Sequence, residues 1–176
     1  MQFKKILVPV DGSGTADNAL RYGVEIAKTY GAQLFVIVVA DIGEAAYPLM
    51  QVNLDRNGFA SVREKAEAVM ERIKKQIPPG LPFTPIIRTG VPGSVITSLV
   101  DEENIDLIIM GNSGKGSLSS FIMGSVSQYV IHHVKVPVLI IKKTDLFKAG
   151  QLMERPTSGR PHGPSLYQLF PKKQKQ

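Results

Sequence analysis

Short, uninterrupted apolar runs alternate along this chain with stretches whose apolar residues recur every three or four positions, and that alternation leaves few folds open. Residues 6–10, 33–40 and 106–111 lack the polar alternation of a strand with one wet face, so they read as strands buried on both faces. Residues 83–88 read as a weaker strand and 136–141 as a last one. Pro9 places itself near the end of its strand, and Pro137 marks an edge strand or a strand start, because proline cannot donate to a ladder. Between these runs, Ala16, Ala19, Leu20, Gly23, Val24 and Ala27 mark a helix with Ser13 as its N-cap and Gly31 as its C-cap. Val62, Ala66, Val69, Ile73 and Ile77 mark a second, stopped by Pro78. Val95, Ile96, Leu99 and Val100 mark a short third. Val126, Val130 and Val134 mark a fourth, behind a Ser125-Val126-Ser127-Gln128 segment of capping-box form. Five strands and four helices in strict alternation predict an α/β domain: a doubly wound, five-stranded parallel sheet with right-handed crossovers and helices on both faces.

The chain has 176 residues, 43% hydrophobic and 20% charged, enough for a sizeable core. One domain, 1–143, is expected, followed by a tail, 144–176, that loses periodicity and is rich in Pro and Gly. Six basic and two acidic residues give that tail +4 of the formal +6, so the body is nearly neutral and carries no nucleic-acid-binding signature. A chain ending at Lys143 is expected to keep its thermal midpoint within a few degrees; a large loss in a melting experiment would mean that the apolar island Leu166, Tyr167, Leu169 and Phe170 packs on the body. There is no cysteine, which excludes disulfides, thiolate catalysis and thiolate metal sites and fits a reducing compartment. No stretch has the length of a membrane span or the make-up of a signal segment, so a cytoplasmic location away from membranes is expected. The connection 41–58 is long and irregular for a compact domain and reads as functional.

Ligands of doubly wound sheets bind at the carboxyl ends of strands, where strand order reverses. Two loops carry polar residues at such ends. One is Pro9-Val10-Asp11-Gly12. The other runs from Gly111 to Ser125 and reads Gly-x2-Gly-x9-Gly-Ser over Gly111, Gly114, Gly124 and Ser125. Glycines let backbone N–H groups approach a phosphate closely. Ser125 opens a helix, whose free N–H groups and dipole favour an anion, and Lys115 adds a point charge.

This second loop, its frame and the start of the chain resemble the universal stress protein family, in the subgroup whose ATP-binding signature is Gly-x2-Gly-x9-Gly-Ser. The frame is Asp-Leu-Ile-Ile-Met-Gly before the loop, Gly-Ser-Val-Ser-Gln-Tyr-Val at its end and Val-Pro-Val-Leu-Ile-Ile after it, with Lys-Ile-Leu-Val-Pro-Val-Asp-Gly-Ser at the start. The resemblance covers residues 3–142 and leaves the tail outside. It implies an adenine-nucleotide α-hydrolase-like sheet of order 3-2-1-4-5, ATP as ligand, and a homodimer acting as a nucleotide-dependent stress-response or regulatory module. By position, it implies that Pro9, Val10 and Asp11 line the adenine and ribose end and that the Val39 backbone contacts adenine. Gly111, Gly114 and Lys115 would wrap ribose and triphosphate, with Met110, Asn112 and Gly116 beside them. Gly124, Ser125 and Val126 would bind phosphates. Val136, Val138, Leu139, Ile140 and Ile141 would form the dimer edge.

Other chemistries fit less well. Ser117 stands where a Walker A loop needs its lysine, and a dinucleotide fingerprint belongs after the first strand. A response-regulator reading needs an Asp after the third strand, where Thr89-Gly90 stands. Asp11 is a turn former that could help hold Mg²⁺ or Mn²⁺ through the phosphates. His132 and His133 point to different faces of their helix and lack a third ligand. Met110 and Met123 read as packing. No histidine and no carboxylate pair accompany the phosphate loop, so efficient turnover is not expected; a slow ATPase or another adenine-nucleotide-processing enzyme of this fold group is the alternative.

Overall fold

The structure, a computed structural model, describes residues 2–43, 56–114 and 123–142, with backbone alone for 56–59. Lys115, Gly116, most of the 41–58 connection and the tail lie outside the described residues. In chain order the elements are β1 (Lys5–Pro9), α1 (Gly14–Tyr30), β2 (Gln33–Asp41), α2 (Arg56–Lys74), β3 (Phe83–Gly90), α3 (Pro92–Glu103), β4 (Leu107–Gly111), α4 (Ser125–His133) and β5 (Val138–Ile141). The five strands form one all-parallel sheet in the order β3-β2-β1-β4-β5. The order reverses between β1 and β4, which pair directly through Ile6 with Leu107 and Leu7 with Ile108.

Alternation along each strand sends side chains to two separate cores. Ile6, Val8, Leu34, Val36, Val38 and Ile109 pack against α1 and α2. Leu7, Phe35, Ile37, Ile108 and Met110 pack against α3 and α4. Both faces of the central strands are thus dry, which is why their sequences carry no polar alternation. Full burial of each large apolar side chain stabilises the fold by roughly 1.5–3 kcal/mol. One close approach sets the distance between α1 and β1: a Cβ on Gly23 would lie 2.6 Å from Val8 Cγ2, so glycine lets the helix come down onto the strand.

Helix ends follow local chemistry. The Ser13 side chain accepts from the Ala16 N–H at 3.2 Å and caps α1, while Gly31 ends it at φ 64°. Lys28, in the last turn, sits favourably at the negative end of the helix dipole. Pro92 occupies the first turn of α3, where a missing N–H costs nothing. Asp17 on α1 and Arg72 on α2 form a bidentate pair at 2.6 and 2.8 Å that ties the two helices of one face together.

Several boundaries differ from the sequence expectation. β5 begins at Val138, not Val136; the Pro137 carbonyl still accepts from Ile108 N at 3.0 Å, but its nitrogen has no proton to give. β3 continues to Gly90 because β2 pairs with it as far as Asp41. α2 starts at Arg56, inside the stretch read as irregular, and its regular part stops at Lys74, where Gln76 and Ile77 tighten into three-residue turns before Pro78. The capping box at α4 does not form: Gly124 is the N-cap and no side chain caps it. The cause is a 2.7 Å bond from Gly124 N to the Asn112 carbonyl, which fixes Gly124 in an extended conformation and makes Ser125 the first helical residue. Among the described residues no helix is long and apolar enough to cross a membrane.

Candidate nucleotide-binding cleft

At the carboxyl end of the sheet, over the β1–β4 reversal, lies a cleft of about 660 Å³. Its size and its mixed apolar and polar lining are those of a small-molecule site. β1 contributes Pro9, and the turn after it Val10 and Asp11; β2 contributes Val39; β4 contributes Met110 and Gly111. Gly114, Gly124, Ser125 and Val126 complete the other side. These ten residues were each expected from the sequence, and the fold brings them together. Asn112 is the exception. It is 4% exposed and does not line the cleft; its N–H donates to the Ile141 carbonyl at 2.8 Å and its own carbonyl accepts from Gly124. Through these backbone bonds Asn112 closes the neck of the loop.

The turn after β1 is built locally. Val10 N donates to the Ile37 carbonyl at 2.8 Å, which holds the strand end against β2. Asp11 Oδ1 then accepts from Ser13 N at 2.9 Å, and Gly12 takes φ 84°, a conformation suited to glycine. The same carboxylate abuts the other loop: a Cβ on Gly114 would lie 2.6 Å from Asp11 Oδ2. Gly111 is equally constrained, since its Cβ would meet Thr15 Cβ at 3.0 Å and the Thr15 backbone carbon at 3.2 Å. Gly124 is less crowded, with Ser113 Cα 3.4 Å from its ideal Cβ. Gly114 is thus crowded by the turn after β1, and Gly111 more mildly by Thr15, before any ligand is considered.

Electrostatically, the cleft meets the N-terminus of α4, whose first-turn N–H groups have no partner within the helix and whose first turn carries no acidic residue. Lys65 and Asp41 stand at the opposite side, from α2 and the end of β2. Among the described residues no histidine lines the cleft; His133 instead stacks on Tyr129, ring centroids 3.9 Å apart.

Sequence reasoning passed over several contributors, Asp41 and Lys65 among them, and four more stand near the glycine loop. Ser113, Ser127 and Met123 line the cleft, and buried Thr15 lies just behind it. For two of them a signal existed. Thr15 shares its helical phase with buried Ala19 and Gly23, and Ser127 shares its phase with Val130, so each is a polar residue at a core position. Such a residue must find a hydrogen bond.

The fold and this cleft define a doubly wound α/β domain with a ligand-sized cleft at the switch point of its sheet. The chain belongs to the universal stress protein family, whose family model matches residues 2–142. It is 30% identical to universal stress protein MJ0531 of Methanocaldococcus jannaschii over 149 residues, covering 80% of this chain and 83% of that one. It is 32% identical to universal stress protein MJ0577 of the same organism over 158 residues, covering 81% of this chain and 97% of that one. The solved structure of MJ0577 superposes with a TM-score of 0.64 over 83% of this chain and all of that one, at 28% identity. The universal stress protein from Archaeoglobus fulgidus in complex with dAMP shares the fold at a TM-score of 0.54 and 23% identity, covering 81% of this chain and 100% of that one.

Proposed function

We propose that this chain binds ATP in the cleft and acts as a nucleotide-dependent regulatory module of the stress response. The observation that carries the reading is the meeting, in one cleft, of Gly111, Gly114 and Gly124 with the N-terminus of α4 and the end of β1. That combination suits a polyphosphate at the helix and an adenosine toward Pro9, Val10 and Val39. A bound adenine nucleotide in a protein of this fold supports the choice of base. ATP would arrive with Mg²⁺ or Mn²⁺. Asp11 fits a supporting role toward such a cation, because its carboxylate stands beside Gly114 and a hard cation takes most of its ligands from phosphate and water. Isothermal titration of the wild-type chain with ATP is expected to show one site per chain, and mass spectrometry of the purified protein is expected to show adenine nucleotide. Absence of binding in both would overturn the reading.

Regulation is preferred to catalysis because the carboxylates lining the cleft among the described residues, Asp11 and Asp41, stand on different strand ends and no histidine accompanies them. The lack of cysteine supports a cytoplasmic setting.

The reading includes a homodimer through β5, the outer strand next to β4. Pro137 O and Ile141 O both face β4, accepting from Ile108 and Asn112, so the alternating ladder turns the backbone groups of Val138 and Ile140 outward. An outward, apolar edge invites pairing with a second copy. Ile140→Pro removes an outward N–H without touching the bonds to β4; Val138 and Ile140 both pack on the α3–α4 core, where proline puts no charge and a Val138→Lys change would. Light scattering is expected to give a dimer for the wild type and a monomer for Ile140→Pro. A dimer in both would place the interface elsewhere.

A further inference from the structure

We infer that Thr15 is a positioning residue for the nucleotide: its buried hydroxyl holds the Ser113 carbonyl and so aims the Gly114 N–H toward the phosphate end of the cleft. The inference rests on the reading of the cleft as an ATP site. Thr15 is 6% exposed, on the first turn of α1, and donates to the Ser113 carbonyl across 98 residues of sequence. A threonine hydroxyl has one proton. With that proton committed to Ser113, the 3.1 Å contact between Thr15 Oγ1 and Ser13 Oγ has Ser13 as donor. Ser13 N in turn donates to Asp11 Oδ1. A relay of hydrogen bonds therefore runs from the turn after β1 to the entry of the glycine loop.

What the relay fixes is a direction. The Ser113 carbonyl and the Gly114 N–H share one trans peptide plane and point opposite ways. With the carbonyl held toward α1, the N–H points away from α1. Gly124 lies close to that nitrogen: its ideal Cβ would be 3.8 Å from Gly114 N. The Gly114 nitrogen thus lies beside the N-terminus of α4, the placement that one anion held by both would need. The loop is held from the other side as well. Ser127, 4% exposed on α4, donates to the Gly111 carbonyl at 2.9 Å. One buried hydroxyl from each sheet face pins the stem, Ser127 at Gly111 and Thr15 at the peptide that carries the Gly114 N–H.

The test compares wild type, Thr15→Val and Thr15→Ser by isothermal titration with ATP and with AMP, alongside melting of the unliganded proteins. Valine keeps the shape and removes the hydroxyl; serine keeps the hydroxyl. Thr15→Val is expected to lose about tenfold or more in ATP affinity, the scale of one unsatisfied buried carbonyl and one misdirected donor. AMP, which lacks the outer phosphates, is expected to lose less than about threefold, and Thr15→Ser is expected to bind ATP within about threefold of wild type. A general loss of structure would weaken both nucleotides alike. Equal ATP binding by wild type and Thr15→Val, equal losses for ATP and AMP, or a serine variant as weak as the valine one would each overturn the inference while leaving the ATP site standing. A wild type that binds no ATP would instead remove the site itself, and the inference with it.

Discussion

Gly114→Val is expected to weaken ATP binding by about a hundredfold or more. The first added atom is decisive, because a Cβ at position 114 would sit 2.6 Å from Asp11 Oδ2, well inside contact distance. Asp11 cannot simply swing away, since its other oxygen accepts from Ser13 N at 2.9 Å and shapes the turn after β1. Either the loop entry lifts off or the turn deforms, and each change moves groups that line the cleft. Loss of two charge-assisted hydrogen bonds to phosphate, at roughly 1.5 kcal/mol each, accounts for that hundredfold. Gly124→Ala makes a useful contrast. Its Cβ would meet Ser113 Cα at 3.4 Å, near ordinary contact, so a loss below about tenfold is expected, whereas Gly124→Val adds methyls toward the Asn112 and Ser113 backbone. Titration of the three variants beside wild type reads the series. Wild-type affinity in Gly114→Val would show that the loop entry does not hold the phosphates.

The second large effect is on stability, and it decides between two opposing terms. Gly23→Ala in a free helix gains about 1 kcal/mol. Here the new methyl would lie 2.6 Å from Val8 Cγ2 and 3.5 Å from Leu34 Cδ1, both fully buried. Val8 is β-branched, stiff at χ1 and set in a strand paired on both sides, so it yields little. Overpacking of this kind costs about 1–3 kcal/mol; with a stiff neighbour the cost falls at about 2–3, so the clash is expected to win by about 1–2 kcal/mol net. In a domain of this size that lowers the thermal midpoint by roughly 3–6 °C. Val8→Ala removes the offending methyl, so the double variant is expected to lose at least about 1 kcal/mol less than the two single losses added. A midpoint for Gly23→Ala above wild type would show that α1 does not press on β1 at this point.

The contrast between Gly23 and Thr15 shows where the sequence was informative. Gly23 falls on the apolar phase of its helix, so its burial was legible from spacing; the atom it must avoid was not, because Val8 lies on another element. Among the described residues, the five strands, the four helices and the face each of these helices buries follow from runs and periods of this local kind. Strand order came only through family resemblance, since alternation alone fits many orders, and the pairing of β1 with β4 is fixed by contacts about a hundred residues apart. The cleft was legible where its chemistry lies in one short segment, as at Pro9-Val10-Asp11 and at the glycines. It was not legible where one segment serves another. The resemblance places Asn112 among the ligand contacts, but its backbone role in closing the loop neck depends on β5 and Gly124 and could not be read locally. Ser125 looked like a cap because Gln128 follows at the right distance; the bond between Gly124 and Asn112 overrode that local signal. Ser127, two residues on, carries the long-range bond to Gly111.

That neck has a consequence for how the loop can vary. Asn112 and Gly124 join directly, with Asn112 tied to β5 and Gly124 to the start of α4. The segment between them is a closed excursion whose ends are held whatever its length. For such an excursion the entropy of closure grows only with the logarithm of the number of residues, about 0.6 kcal/mol for each doubling. The sheet and helices are therefore nearly indifferent to whether nine residues or twelve separate Gly114 from Gly124. In this architecture the number of residues between Gly114 and Gly124 can change without a large cost to the sheet.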